Sequence, residues 1–319
     1  MLTGHEEPWA EWQRALTGPR LQHGWILAGR RGIGKRHFAL AAARALVAED
    51  GSAQPAGDHP DILLLQPLPN NADEEKKRDE GKPYQTKRNI AVDQVRQMQG
   101  RLTTRPTLGA RRAIIIDAAD DLEPASANAL LKSLEEPPVG TYFLLIAHRL
   151  GRLLPTIRSR CRTLQFPTLS AQQMDGILQV EAPQADAAAR EAAIESSGGS
   201  PGMALDFVEL DLGPIHQLMR EIALHGDRDF SRRGRLAEAI GARPDRRRQL
   251  AAIDLARAVA VSRLRDTPPS ARRVLADGHA QLVQLGVQAP THNYDPGLLV
   301  MEIGGLLARM APPREAAHG

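Results

Sequence analysis

The sequence predicts an α/β domain with a parallel sheet over residues 1–167, a small helical lid over 168–208 and an all-α domain over 209–319. Three observations predict this. Between residues 20 and 166, short β-branched or leucine-rich runs alternate with helical periodicities, the pattern of strand–helix–strand crossovers. The first of those runs leads directly into a glycine loop that opens a helix. After Ser170 the strand signal fades, and apolar residues recur only at helical spacing, as in Leu250, Ile253, Leu255, Ala258 and Val261.

Trp25–Ala28 is the first strand, and His37 to Ala48 is a helix with Phe38, Ala41, Ala42, Ala45 and Leu46 on one apolar face. Between them lies Gly29-Arg30-Arg31-Gly32-Ile33-Gly34-Lys35-Arg36, which meets the phosphate-loop pattern G-x-x-x-x-G-K-[ST] at all but its last position. Gly29 and Gly34 permit a tight turn whose backbone N–H groups point at phosphate oxygens, and Lys35 can reach a terminal phosphate. The last position calls for a hydroxyl that ligates Mg²⁺. Arg36 stands there with five donors and no acceptor, so it cannot coordinate a cation.

A second strand is expected at Asp61 to Leu65. Asn70 to Arg88 has almost no apolar residue and is expected to be an exposed, mobile loop. Ile90 to Leu102 reads as a helix with Val92, Val95 and Met98 at helical spacing. Arg111 to Asp117 is a β-branched run ending in an acid, which suits a strand buried on both faces. Glu123 to Glu136 is a helix with Ala127, Leu130, Leu131 and Leu134 inward, Pro124 near its start and Pro137-Pro138 stopping it. Tyr142 to Ala147 is another buried strand and Leu164-Gln165-Phe166 a short final one. Two or three short helices are expected from Ser170 to Phe207, around Gly198 to Gly202.

Composition narrows the function classes. A chain of 319 residues holds two or three domains. Aromatic residues are only 3%, so the cores must rest on Leu, Ala, Val and Ile. A net charge of +3 does not by itself imply a nucleic-acid partner. The single cysteine, Cys161, excludes an intramolecular disulfide and a multi-cysteine zinc site. No two histidines stand three or four residues apart, which disfavours a histidine metal site. With no long apolar run and no signal pattern, a soluble cytoplasmic protein is expected.

Two further segments carry chemistry. In ATP-hydrolysing phosphate-loop proteins of the AAA+ type, an apolar strand ends in Asp-Glu: the Asp holds Mg²⁺ and the Glu orients the attacking water. Asp117 is present, but Ala118 replaces the Glu, and a methyl group cannot polarise water. Asp120 and Asp121 lie just beyond and are read as the start of the next turn. The run Ile157-Arg158-Ser159-Arg160-Cys161-Arg162 is either a solvated face or a set of phosphate-reaching forks.

The segments Asn128-Ala129-Leu130-Leu131-Lys132-Ser133-Leu134-Glu135-Glu136-Pro137-Pro138 and Leu154-Pro155-Thr156-Ile157-Arg158-Ser159-Arg160-Cys161 resemble the bacterial clamp-loader AAA+ subunits. The resemblance extends weakly beyond Phe207, to Asn293–Met310. It implies an AAA+ (RecA-like) domain, a lid and a C-terminal helical collar that holds a ring of subunits together. The motor members of that group carry a complete phosphate loop, Asp-Glu at the strand end, a polar sensor on the next strand and a lid arginine. The corresponding places here hold Arg36, Ala118, Ala147-His148 and Pro201-Gly202. The resemblance therefore implies the non-hydrolysing, stator-type accessory subunit of the DNA polymerase III clamp loader.

By the same resemblance, Arg160 would act as an arginine finger in trans, and no residue would be catalytic in cis. Gly29, Gly32, Gly34, Lys35, Arg36 and Asp117 would form a degenerate nucleotide site. No cofactor is required, although Lys35 leaves weak ATP or ADP binding open. Family members often carry a four-cysteine zinc module, but Glu49 to Pro60 has no cysteine, so no zinc is expected. The implied partners are the gamma/tau and delta subunits and, indirectly, the sliding clamp and primer–template DNA, with no membrane. One alternative is an active gamma/tau-type ATPase in which Asp120 or Asp121 replaces the missing Glu. Another is a nucleic-acid-binding module using the basic runs Ser231 to Arg235 and Arg243 to Arg248.

Overall fold

A computed structural model describes residues 3–48, 54–82, 84–269, 272–289 and 294–312. Asn293 and residues 49–53 of the cysteine-free stretch 49–60 lie outside the described residues. The chain divides into two compact units, Met1–Leu169 and Ser170–Gly319.

The first unit contains α1 (Glu6–Thr17), β1 (Gly24–Ala28), α2 (Lys35–Val47), β2 (Ile62–Leu65), α3 (Ala72–Asp79), α4 (Val92–Leu102), β3 (Arg112–Asp117), α5 (Pro124–Glu135), β4 (Thr141–Ala147), α6 (Pro155–Arg158) and β5 (Arg162–Gln165). The strands form one parallel sheet in the order β2-β3-β4-β1-β5. Side chains alternate across such a sheet. Ile26, Ile114, Ile116, Phe143 and Leu145 therefore meet Val95 and Met98 of α4 and Leu130 and Leu134 of α5 in one core. Their neighbours Trp25, Leu27, Ile115, Leu144 and Ile146 are equally buried and face the other way. Burial on both faces explains why these strands read as continuous apolar runs.

Two elements depart from the sequence expectation. α1 is a helix that periodicity did not signal. Tertiary aromatic contacts hold it: Trp12 packs edge-to-face on Trp25 at 5.3 Å and Trp9 on Phe38 at 5.5 Å. The segment expected as a loop from Asn70 to Arg88 contains α3. This helix has no apolar face and forms on local chemistry. The Asn71 side chain accepts from Glu74 N, acids fill the first turn and bases the last, and Lys77 pairs with Glu74 at 2.7 Å. Glu74 also accepts from Gln85 N at 2.5 Å, which ties the helix to the returning chain.

The second unit contains α7 (Ala171–Glu181), α8 (Ala187–Ser197), α9 (Pro201–Glu209), α10 (Gly213–His225), α11 (Ser231–Ile240), α12 (Arg246–Asp266), α13 (Arg272–Gln288) and α14 (Pro296–Arg309). Ser170, Asp186, Ser200, Asp245 and Asp295 cap five of these helices through side-chain oxygens. α10 packs on α11, α12 and α14, and α12 on α13. α8 and α9 also pack on α12, so the segments 168–208 and 209–319 lie almost wholly in one unit, with its boundary at Leu169. Among the described residues, no helix is long and apolar enough to cross a membrane.

Candidate nucleotide loop and arginine turn

In a parallel sheet, every loop that follows a strand emerges at the same edge. The glycine loop after β1, Asp117 at the end of β3 and His148 after β4 are therefore gathered there. Gly32 and Gly34 adopt φ of 75° and 99°, which lets the chain turn sharply into α2. A Cβ on Gly29 would lie 2.7 Å from the carbonyl oxygen of Phe166, so the strand-to-loop junction has no room for a side chain. His5 braces the loop from outside: its Nε2 lies 2.5 Å from Ile33 O, and its ring stands edge-on to Phe166.

Lys35 opens α2 and is only 3% exposed. Its Nζ donates to the carbonyls of Gly29 and Arg30, both at 2.6 Å. Burial lowers its pKa to about 8, opposed by the charges of Asp120 and Asp117. A depressed lysine pKa means that the folded state binds fewer protons than the unfolded chain between about pH 8 and 10.5. Stability should therefore rise with pH across that window, by up to about 3 kcal/mol at 1.36 kcal/mol per unit. Urea titrations should show this rise in the native protein and a flatter profile in Lys35→Met. Equal slopes would contradict the burial cost.

Arg36 turns toward β3 and places Nη1 3.4 Å from Asp117 Oδ2. Burial raises the Asp117 pKa, and the nearby charges of Arg36, Lys35 and Arg31 oppose that rise. Ala118 is buried beside it. Asp120 lies in a short 3-10 turn, Ala119–Asp121, as the sequence reading expected. Its two oxygens accept from His148 N at 2.9 Å and Arg149 N at 3.1 Å, which ties this turn to the tip of β4. Burial lowers the His148 pKa to about 4, with the Lys35 charge acting in the same direction, so the ring is neutral at pH 7.

Arg160 is not part of this cluster. It lies two residues before Arg162, and Arg162 pairs with Trp25 near the start of β1. The glycine loop follows the other end of β1, roughly 13 Å of strand away at about 3.3 Å per residue. Arg160 Nη2 contacts Glu135 Oε1 at 2.6 Å, and Nη1 donates to Thr156 O at 2.9 Å. Arg162 instead pairs with Glu11 and lies over the Trp25 ring.

Several arginines of the basic runs of the second unit are used internally. Arg233 pairs with the fully buried Asp227 carboxylate at 2.8 Å, Arg247 with Asp206 and Glu209, and Arg248 donates to the carbonyls of Leu210, Ala239 and Ile240.

His5 is the residue around these sites that sequence reasoning missed: it acts through space on a segment far away in the chain and carried no local signal. Glu135 stood only within the 128–138 segment, and its pairing with Arg160 is what the fold adds.

The parallel sheet with a glycine loop gathered at its strand ends defines an α/β domain, and an all-helical unit follows it in the chain. A family model described as "DNA polymerase III, delta subunit" matches residues 4–170, more than half of the chain, and the chain belongs to that family. It is 36% identical over 207 residues to DNA polymerase III subunit delta' of Pseudomonas aeruginosa, covering 60% of this chain and 58% of that one. It is 36% identical over 156 residues to subunit delta' of Escherichia coli, covering 49% and 42%. It is also 30% identical over 214 residues to subunit gamma/tau of Mycobacterium tuberculosis, covering 65% and 36%. The chain spans about half the length of the delta' relatives it matches. A gamma subunit-related protein of Thermotoga maritima shares the fold, with a TM-score of 0.54 at 15% identity over 95% of this chain and 99% of that one.

Proposed function

We propose that this chain is the non-hydrolysing, delta'-type subunit of the DNA polymerase III clamp loader, and that it lends Arg160 to the ATP site of a neighbouring subunit. The observation that carries this reading is the position of Arg160. The length of β1 separates it from the chain's own loop, on the opposite edge of the sheet, so it is suited to serve a different molecule's phosphate. Its hold on Glu135 is a half-exposed pair of the kind worth about 0–1 kcal/mol, so a γ-phosphate can replace that partner at little cost. In this reading the gamma/tau and delta subunits are its partners, α10–α14 form the collar, and contact with the sliding clamp and primed DNA is indirect.

The loop edge supports an absence of turnover in cis. Arg36 takes the hydroxyl's place and pairs with the acid that should hold the metal. No carboxylate follows Asp117 directly, and Asp120 is committed to the β4 tip. That commitment disfavours the Asp120 form of the active gamma/tau-type alternative, which needs an acid aimed at water. The purified chain should therefore release no phosphate from Mg-ATP above background. Turnover abolished by Lys35→Ala would overturn this, and Arg160→Ala in a reconstituted loader tests the finger.

A further inference from the structure

Mg²⁺ does not fit the loop edge. A phosphate loop that uses the metal offers it a hydroxyl after the lysine and a carboxylate at the end of the neighbouring strand. Here the first group is a guanidinium, which has donors only. The second, Asp117, already faces that cation at 3.4 Å. The adjacent Ala118 contributes a methyl group, and both oxygens of Asp120 accept backbone N–H groups. The features that take phosphate remain: glycines with positive φ at 32 and 34, and a buried Lys35 ammonium held inside the loop by two carbonyls.

We infer that the 29–36 loop is a metal-independent polyphosphate site, in which Arg36 is a built-in counter-cation that takes the place of Mg²⁺. The inference builds on the non-hydrolysing reading of this loop and is independent of Arg160. Arg36 is about half exposed, so its fork can swing from the Asp117 carboxylate to a phosphate, and guanidinium pairs bidentately with either. Metal-free ATP carries two more negative charges than its Mg²⁺ complex, so Lys35 and Arg36 together favour the metal-free form.

The test is calorimetric titration of the full chain with ATP and with ADP, in EDTA and in excess Mg²⁺. Both nucleotides should bind in EDTA at least as tightly as in Mg²⁺, and Mg²⁺ alone should leave the melting temperature unchanged. Arg36→Ala should weaken binding in EDTA roughly tenfold, the scale of one lost charge-assisted hydrogen bond. Arg36→Thr restores the hydroxyl and should make binding tighter in Mg²⁺ than in EDTA. Arg36→Lys keeps the charge and should remain metal-independent, which keeps the test open if Arg36→Thr does not fold. Binding that requires Mg²⁺ in the native protein, no binding of either nucleotide, or an Arg36→Thr variant as indifferent to Mg²⁺ as the native chain would each overturn the inference. Any of these, combined with a loader still impaired by Arg160→Ala, would remove the metal-free site and leave the finger standing.

Discussion

Arg160→Ala is expected to reduce ATP turnover at the one neighbouring site it serves by roughly 10³–10⁵, the range of arginine fingers in other phosphoryl-transfer systems. The readout is DNA- and clamp-stimulated ATPase of a loader reconstituted with the variant. The loss should fall on kcat more than on nucleotide affinity, because a finger stabilises charge that develops in the transition state. Arg160→Lys should rescue little, since an ammonium cannot reproduce the planar fork. The variant chain itself should melt as the native one does. Arg160 is linked to its own fold mainly through the half-exposed Glu135 pair and the Thr156 carbonyl, and such exposed pairs contribute little. Stimulated ATPase equal to that of the native loader would exclude the finger. Lys35→Ala should leave the loader's ATPase nearly intact, so a collapse there would instead place chemistry at the chain's own loop.

The contrast between Lys35 and Arg160 also shows what a sequence can disclose here. The loop, Asp117 and the arginine turn are legible because each belongs to a contiguous pattern on a predictable element. β3 is a β-branched run, and α5 is bracketed by Pro124 and Pro137. The contact that changes the meaning of the loop, Arg36 to Asp117, joins residues 81 positions apart and becomes visible only once the sheet places the start of α2 beside the end of β3. α1 escaped for a related reason. Its sequence Glu6-Glu7-Pro8-Trp9-Ala10-Glu11-Trp12 has two large apolar residues and mostly polar neighbours, and the rings of Trp25 and Phe38 are what it docks on. α3 escaped because the sequence reading weighed apolar periodicity, whereas capping and ion pairs at i,i+3 hold this helix.

The basic run at Ser231 to Arg235 is where sequence alone leaves a DNA-binding role open, and Arg233→Ala separates the two readings. Phe230 occupies the N-cap of α11 and offers no capping oxygen. Asp227 takes over that task from the preceding turn, accepting from Arg232 N and Arg233 N, both at 3.0 Å. Its carboxylate is fully buried, and Arg233 Nε supplies the neutralising charge at 2.8 Å. The Arg233 stem lies against Gly304 of α14, so close that a Cβ there would sit 2.5 Å from its Cγ, and its guanidinium stacks on Phe230 at 3.9 Å. Truncation to alanine leaves a buried charge without its counter-ion, and breaking such pairs costs about 3–5 kcal/mol. Urea unfolding of the second unit should shift by that amount. Asp227→Asn combined with Arg233→Met removes both charges while keeping the packed stem, and should recover part of the loss. If Arg233 instead contacts phosphate, the salt dependence of DNA binding should lose about one unit of slope in Arg233→Ala, with little change in stability. The fully buried carboxylate favours the stability loss: an arginine that neutralises Asp227 inside the unit has its charge already committed, whatever the basic run suggests in one dimension.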